Sequence, residues 1–216
     1  MINTILFDLD GTLVDSAEDI IYCLTQAYAS VSIQLTTPID KSIIGPPLRE
    51  IIKLVTPSLD AKEVESVMGF FRTCYDYSTL DRTAFKEGVP DILSFLSALK
   101  KVMYIVTNKP KAPTNVILNK LKMNGFCGII TPDTQLGRHL SKAEMISHVI
   151  NTWNLKRQNI IMVGDTASDV YAAHEQGISS VAVLNGYGDR KSIEESKPAY
   201  LIEKFDGLKD IFEHEC

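Results

Sequence analysis

The 216-residue sequence predicts an α/β fold, a parallel sheet with helices on both faces, interrupted near its start by an inserted α-helical cap. Three observations carry that prediction. A short apolar run rich in β-branched and aromatic residues, 2–7, opens the chain and leads into Asp8-Leu9-Asp10-Gly11-Thr12, where Gly-Thr stops a strand. From Gly88 onward, apolar runs of strand length alternate with stretches of helical periodicity, the pattern of parallel strands joined by helical crossovers. Between these regions, residues of about 16–84 show helical periodicity and no strand candidate.

The elements follow in order. Ser16-Ala17-Glu18-Asp19 has the form of a helix cap and opens a helix running to about residue 30. Residues 47–55 carry Ile51, Ile52 and Val55 on one helical face, and 61–80 carry Val64, Val67, Met68 and Phe71. Further helices are expected at 90–100, 113–124, 141–153, 169–176 and 208–214. Strands are expected at 102–106, 128–131, 160–163, 179–184 and 200–202. The predicted organisation is a Rossmann-like core over 1–15 and 85–216 with a helical cap over 16–84.

Composition narrows the classes. An apolar share of 45% and a charged share of 23% fit an ordinary soluble globular chain. A net charge of −5 argues against a general binder of nucleic acid or of anionic membranes. No apolar stretch approaches the roughly 20 residues that span a bilayer, and the chain opens directly in a strand, so neither a membrane segment nor a signal peptide is expected. Cys23, Cys74, Cys127 and Cys216 are far apart and form no metal-ligand pattern, so reduced thiols in a cytoplasmic protein are expected. His139, His148, His174 and His214 have no ligand spacing. Phe70, Phe71, Tyr75 and Tyr77 are expected to pack the cap.

The chemistry concentrates at strand ends, where open α/β sheets bind ligands. Asp8 and Asp10 read as a nucleophile and a proton-transfer group, since residues i and i+2 of a strand face the same way. A carboxylate that attacks phosphorus splits a hard hydrolysis into two steps through an aspartyl-phosphate. A second carboxyl can protonate the leaving alkoxide and then take a proton from water. An anionic phosphate would repel Asp8 unless a cation intervenes, and Mg²⁺ suits a site of carboxylates and substrate oxygens. Another acid is therefore expected at another strand end, and Gly164-Asp165-Thr166-Ala167-Ser168-Asp169 supplies it, with Asp165 as a metal ligand and Asp169 in support. Thr107 and Asn108 offer a hydroxyl and an amide for phosphate oxygens. Ser141-Lys142-Ala143-Glu144 resembles a capping box that puts Lys142 in a first helical turn, against the helix dipole, and a partner anion would explain that placement.

In this order the pieces resemble the haloacid dehalogenase superfamily of phosphohydrolases. Asp-x-Asp-Gly-Thr matches Asp8–Thr12, the strand-end Ser/Thr matches Thr107, the lysine matches Lys142, and Gly-Asp-x-x-x-Asp matches Gly164–Asp169. The resemblance covers the whole chain. It implies Asp8 as nucleophile, Asp10 as general acid/base, and Mg²⁺ held by Asp8, the Asp10 carbonyl and Asp165, with Asp169 supporting. Thr107, Asn108 and Lys142 would bind phosphate and orient Asp8. Within the superfamily the chain looks most like phosphoglycolate phosphatases, through Asp15-Ser16, residues 44–49, the Tyr75 region, Glu87-Gly88-Val89 and Thr107-Asn108-Lys109. Ala143 departs from the proline that commonly follows the lysine. Gly45 and Arg49 are the cap residues expected to face the site, Arg49 meeting a substrate carboxylate or second phosphate. The expected partner is a small phosphorylated metabolite, with neither nucleic acid nor membrane, acted on by a monomer or homodimer. A sugar-phosphate mutase, a pyrophosphatase or a nucleotidase on the same scaffold is the alternative, and a non-catalytic binding protein the distant one.

Overall fold

A computed structural model describes residues 1–76 and 78–213. Tyr77, His214 and Cys216 therefore lie outside the described residues. The strands are β1 (Thr4–Phe7), β2 (Val14–Asp15), β3 (Ala84–Phe85), β4 (Val102–Val106), β5 (Phe126–Ile130), β6 (Ile160–Gly164), β7 (Ser179–Val183) and β8 (Tyr200–Ile202). The helices are α1 (Ala17–Val31), α2 (Leu48–Val55), α3 (Ala61–Tyr75), α4 (Val89–Ala98), α5 (Lys111–Lys120), α6 (Lys142–Thr152), α7 (Ala167–Glu175), α8 (Arg190–Glu195) and α9 (Leu208–Glu213). No helix among the described residues is long and apolar enough to cross a membrane.

Six parallel strands form one sheet in the order β5-β4-β1-β6-β7-β8. The chain starts in the middle, winds outward through β4 and β5, then returns to the other side of β1 for β6, β7 and β8. The carboxyl ends of β1, β4 and β6 consequently lie side by side at the switch point, where the sheet leaves a crevice. Phe7 stands opposite both Ile105 and Val163, so Asp8, Thr107 and Asp165 emerge at the same edge of the sheet.

Strand alternation divides the core into two layers. Ile5, Phe7, Met103, Ile105, Ile161 and Val163 face one way. Leu6, Tyr104, Val106, Ile160 and Met162 face the other, against Met145, Ile146 and Val149 of α6 and Ala172 and Ala173 of α7. The first layer continues without a break into the helical block α1–α3 through Leu24, Ile52, Val64 and Val67. That block leaves the sheet at β2 and returns at β3, and the two pair antiparallel through Val14↔Phe85 and Asp15↔Ala84.

Several expectations need correction. Ser16 is the first residue before α1, but its hydroxyl makes no cap and bonds Asp10 instead. The helix predicted over 61–80 ends at Tyr75; Leu80 is fully buried, yet its φ of 51° is left-handed, which no helix accommodates. The brief β2, β3 and α8 were not foreseen, being too short to show a period. The expectation of reduced thiols fails for two cysteines: Cys23 of α1 and Cys74 of α3 form a disulfide, their Cα atoms 5.5 Å apart. Packing of α1 along α3 closes a sequence separation of 51 residues that hid the pair. The cysteines thus cease to argue for a reducing compartment. Cys127 is free and exposed.

Candidate active site

β1 ends at Phe7, and the chain turns at once. Leu13 and Val14 N–H groups both donate to the Leu9 carbonyl, and Gly11 N–H to Val14. Gly11 has φ +83°, and a Cβ there would overlap the Asp165 carboxylate, so the turn requires glycine twice over. Strand alternation does not extend past Phe7, and the two acids of the motif take different partners. Asp8 meets Lys142, while Asp10 meets Lys109 and Ser16.

Asp8, Asp165 and Asp169 are buried, each with a carboxylate oxygen within 4.8 Å of the others. Asp165 accepts from Thr12 Oγ1 at 2.7 Å and from the Tyr187 N–H at 2.7 Å. Asp169 closes a capping box at the start of α7, accepting from Thr166 N–H and Oγ1 with Oδ2. Gly164 carries no side chain because a Cβ would collide with Asp169.

Lys142 opens α6 within the capping box of Ser141 and Glu144. Its Nζ lies 2.9 Å from Asp8 Oδ1 and also bonds Asp169 Oδ1. The opposition to the helix dipole, about 0.3–1 kcal/mol, is offset by two anions. Burial alone would lower the Lys142 pKa, but Asp169 and Asp8 together hold it above the lysine range. Burial pushes the Asp8 carboxyl up to about 8, with Lys142 opposing and Asp169 and Asp165 adding to the rise. Asp165 rises to about 6, through burial and then Asp169, against the bonds from Tyr187 and Thr12. Three crowded acids facing this ammonium carry surplus negative charge, which a proton or a hard divalent cation would offset. An all-carboxylate donor set suits Mg²⁺.

The middle strand end has Thr107 buried, its Oγ1 accepting from the Lys109 N–H at 3.1 Å. Asn108 Nδ2 donates to the Gly45 carbonyl at 3.3 Å, so the loop before α2 rests on the loop after β4. A Cβ on Gly45, whose φ is +127°, would lie 3.1 Å from Thr166 Cγ2. Gly45 is thus beside the strand ends. Arg49 is not brought there: its exposed guanidinium pairs with Glu65 of α3.

Three residues reach the site to which the sequence reading gave no role there. Lys109 is buried, 3.1 Å from Asp10 Oδ2, and donates to Tyr75 Oη at 2.8 Å. Burial disfavours its charge, but Asp10 and then Tyr75 hold it above the lysine range. Tyr75 does pack the helical block, stacked on Phe71 at 5.2 Å, yet its hydroxyl reaches the site. Burial raises that hydroxyl to about 12. Tyr187 serves both sides: its Oη accepts from Ser16 and Ala17 N–H groups and donates to Asp15 Oδ1 at 2.9 Å. A lysine just after the strand-end pair Thr107-Asn108 was the available signal for Lys109, whereas Lys142 was singled out by its capping box. Of the described histidines, His139 and His174 are exposed and His148 contacts Gln135; none of these three joins the acidic cluster.

The family model described as "Haloacid dehalogenase-like hydrolase" matches residues 5–183. A 5'-nucleotidase of Pseudomonas aeruginosa is 25% identical over 97% of this chain and 95% of its own. Phosphoglycolate phosphatase 1 of the same organism is 27% identical, covering 96% of this chain and 77% of its own. Among solved structures, the haloacid dehalogenase-like family protein SP0104 of Streptococcus pneumoniae superposes with a TM-score of 0.87, at 26% identity and 98% coverage of both chains.

Proposed function

We propose that this chain, which belongs to the haloacid dehalogenase-like hydrolase family, is a Mg²⁺-dependent phosphomonoester hydrolase that works through an aspartyl-phosphate on Asp8. It is an enzyme of the phosphatase type. The observation that carries the mechanism is the buried carboxyl of Asp8, pinned by Lys142 beside Asp165 and Asp169 at the sheet's switch point.

Asp8, Asp165 and Asp169, with the Asp10 carbonyl, would hold Mg²⁺, which when bound neutralises phosphate charge and favours the ionised form of Asp8. An Asp8 oxygen attacks phosphorus, the new P–O bond forms, and the bond to the substrate alkoxide breaks. Asp10 gives its proton to that alkoxide. Water then attacks the phosphorus of the aspartyl-phosphate, Asp10 takes the water's proton, and the Asp8–phosphorus bond breaks to release phosphate. Lys142 keeps Asp8 oriented and, with Thr107 and Asn108, receives phosphate oxygens.

Residues 1–15 and 85–216 act as the core and 16–84 as a cap over the crevice, with Gly45 beside the strand ends. Exclusion of bulk water under the cap strengthens the electrostatics of transfer. A small phosphorylated metabolite fits this plan, and phosphoglycolate is our first substrate, in line with the name of one relative. The test is phosphate release from phosphoglycolate, sugar phosphates, nucleoside monophosphates and pyrophosphate, with and without Mg²⁺. The wild type should release phosphate only with the metal, and Asp8→Asn should be inactive. Normal turnover by Asp8→Asn would sink the mechanism.

A further inference from the structure

Asp10 is gripped at both carboxylate oxygens from different parts of the chain. Ser16 Oγ, at the foot of α1, donates to Oδ1. The Lys109 ammonium lies 3.1 Å from Oδ2. Lys109 is itself held at two further points. Its N–H is tied to Thr107 Oγ1 at the end of β4. Its Nζ donates to Tyr75 Oη at 2.8 Å and lies 4.6 Å from the centroid of the Tyr75 ring. Tyr75 is the last residue of α3, so a core lysine reaches its carboxylate partner while anchored on the helical block. A buried ammonium has no water to replace a lost partner, and a flexible stem of this length needs an anchor to hold one direction.

We propose that Lys109 is a positioning residue for proton transfer: anchored on Tyr75 of α3, its ammonium aims Oδ2 of Asp10, so that seating the helical block and orienting the proton-transfer carboxyl are one event. With Lys109 removed, Asp10 is held at Oδ1 alone and its carboxyl plane can turn. The proposal rests on the reading of Asp10 as the acid/base of a phosphatase, and deepens it. A misdirected Asp10 harms substrates in proportion to how much their leaving group needs a proton. An alkoxide needs one, whereas p-nitrophenolate leaves without it.

The experiment compares kcat/KM for p-nitrophenyl phosphate and for the alkyl phosphate turned over fastest in the substrate panel, using wild type, Lys109→Met, Tyr75→Phe and the double variant. For Lys109→Met we expect a loss of about 100-fold on the alkyl phosphate and under about 10-fold on p-nitrophenyl phosphate, the scale of a misplaced acid/base group. Tyr75→Phe, which keeps the ring and deletes the hydroxyl, should show the same substrate bias with a smaller loss. The double variant should be no worse than Lys109→Met. Equal losses on both substrates, or losses that multiply in the double variant, would overturn the proposal. Asp8→Asn, assayed alongside, separates the two claims. If it is inactive while Lys109→Met loses both substrates equally, only the positioning role falls; if it retains both activities, the phosphatase mechanism itself falls.

Discussion

Lys142 occupies the place on a helix where a cation is least favoured, and its two carboxylate partners explain why it is there. Replacing it by methionine keeps the stem and removes the charge, leaving Asp8 and Asp169 without the ammonium. Turnover should fall by roughly 10²–10³-fold, the cost of deleting one preorganised charge donor, measured as kcat in a phosphate-release assay. The acids opposite make a second prediction. Asp8 and Asp165 titrate in the fold at about 8 and about 6, above the 3.8 of an unperturbed carboxyl. The metal-free fold therefore binds protons that the unfolded chain does not, and this contribution to stability is complete below 3.8 and lost as pH rises through 6 and 8. Bound at these acids, as proposed, Mg²⁺ would replace those protons, so its stabilising effect should grow across that window. Thermal shift on adding Mg²⁺ should be larger at pH 8 than at pH 5.5; an equal shift would contradict the assignment. At this scale the sequence showed the acids and Lys142, because strand ends and a capping box mark them locally. The partners of Lys109 and Tyr187 were hidden, since Tyr75 lies 34 residues from the first and Ser16 171 from the second.

Helices α1 and α3 are joined covalently as well as by packing. The Cys23–Cys74 bridge closes a separation of 51 residues, for which loop-closure entropy gives about 3–4 kcal/mol. Reduction, or Cys74→Ala, should lower the melting temperature by roughly 10 °C for a chain of this size, read by calorimetry with and without a dithiol. An unchanged melting temperature would show that packing alone secures the block. The start of α1 depends on a side chain from far along the chain rather than on Ser16. Tyr187→Phe should free the Ser16 N–H, leave the Ala17 N–H to Asp15 Oδ1 alone, and cost about 1 kcal/mol, as lost caps do, measured by urea unfolding. The strands 102–106 and 200–202 were read to the residue because apolar β-branched runs with abrupt ends leave little choice. The ends of α3 and α5 were misread, since turns at Leu80 and Lys122, both with positive φ, continue an apolar pattern that the backbone does not follow. Two-residue strands such as β2 and β3 carry no period to detect.

Across the whole molecule, one apolar layer runs from the sheet face into α1–α3. Sheet and helical block should therefore melt together, in a single calorimetric transition whose van't Hoff and calorimetric enthalpies agree. A separate low-temperature transition would mean that the block opens by itself. The two crossings of the chain into and out of that block are neighbours, paired through only Val14↔Phe85 and Asp15↔Ala84. To the rest of the protein, everything from Ser16 to Thr83 is one long loop with both feet planted together. A loop of that kind can be lengthened, shortened or exchanged for another without re-registering a single strand of the sheet. The ribbon thus acts as a socket: exchanging what it carries would leave Asp8, Asp165 and Asp169 on their own side of it, while Asp10 would lose its ties to Ser16 and, through Lys109, to Tyr75.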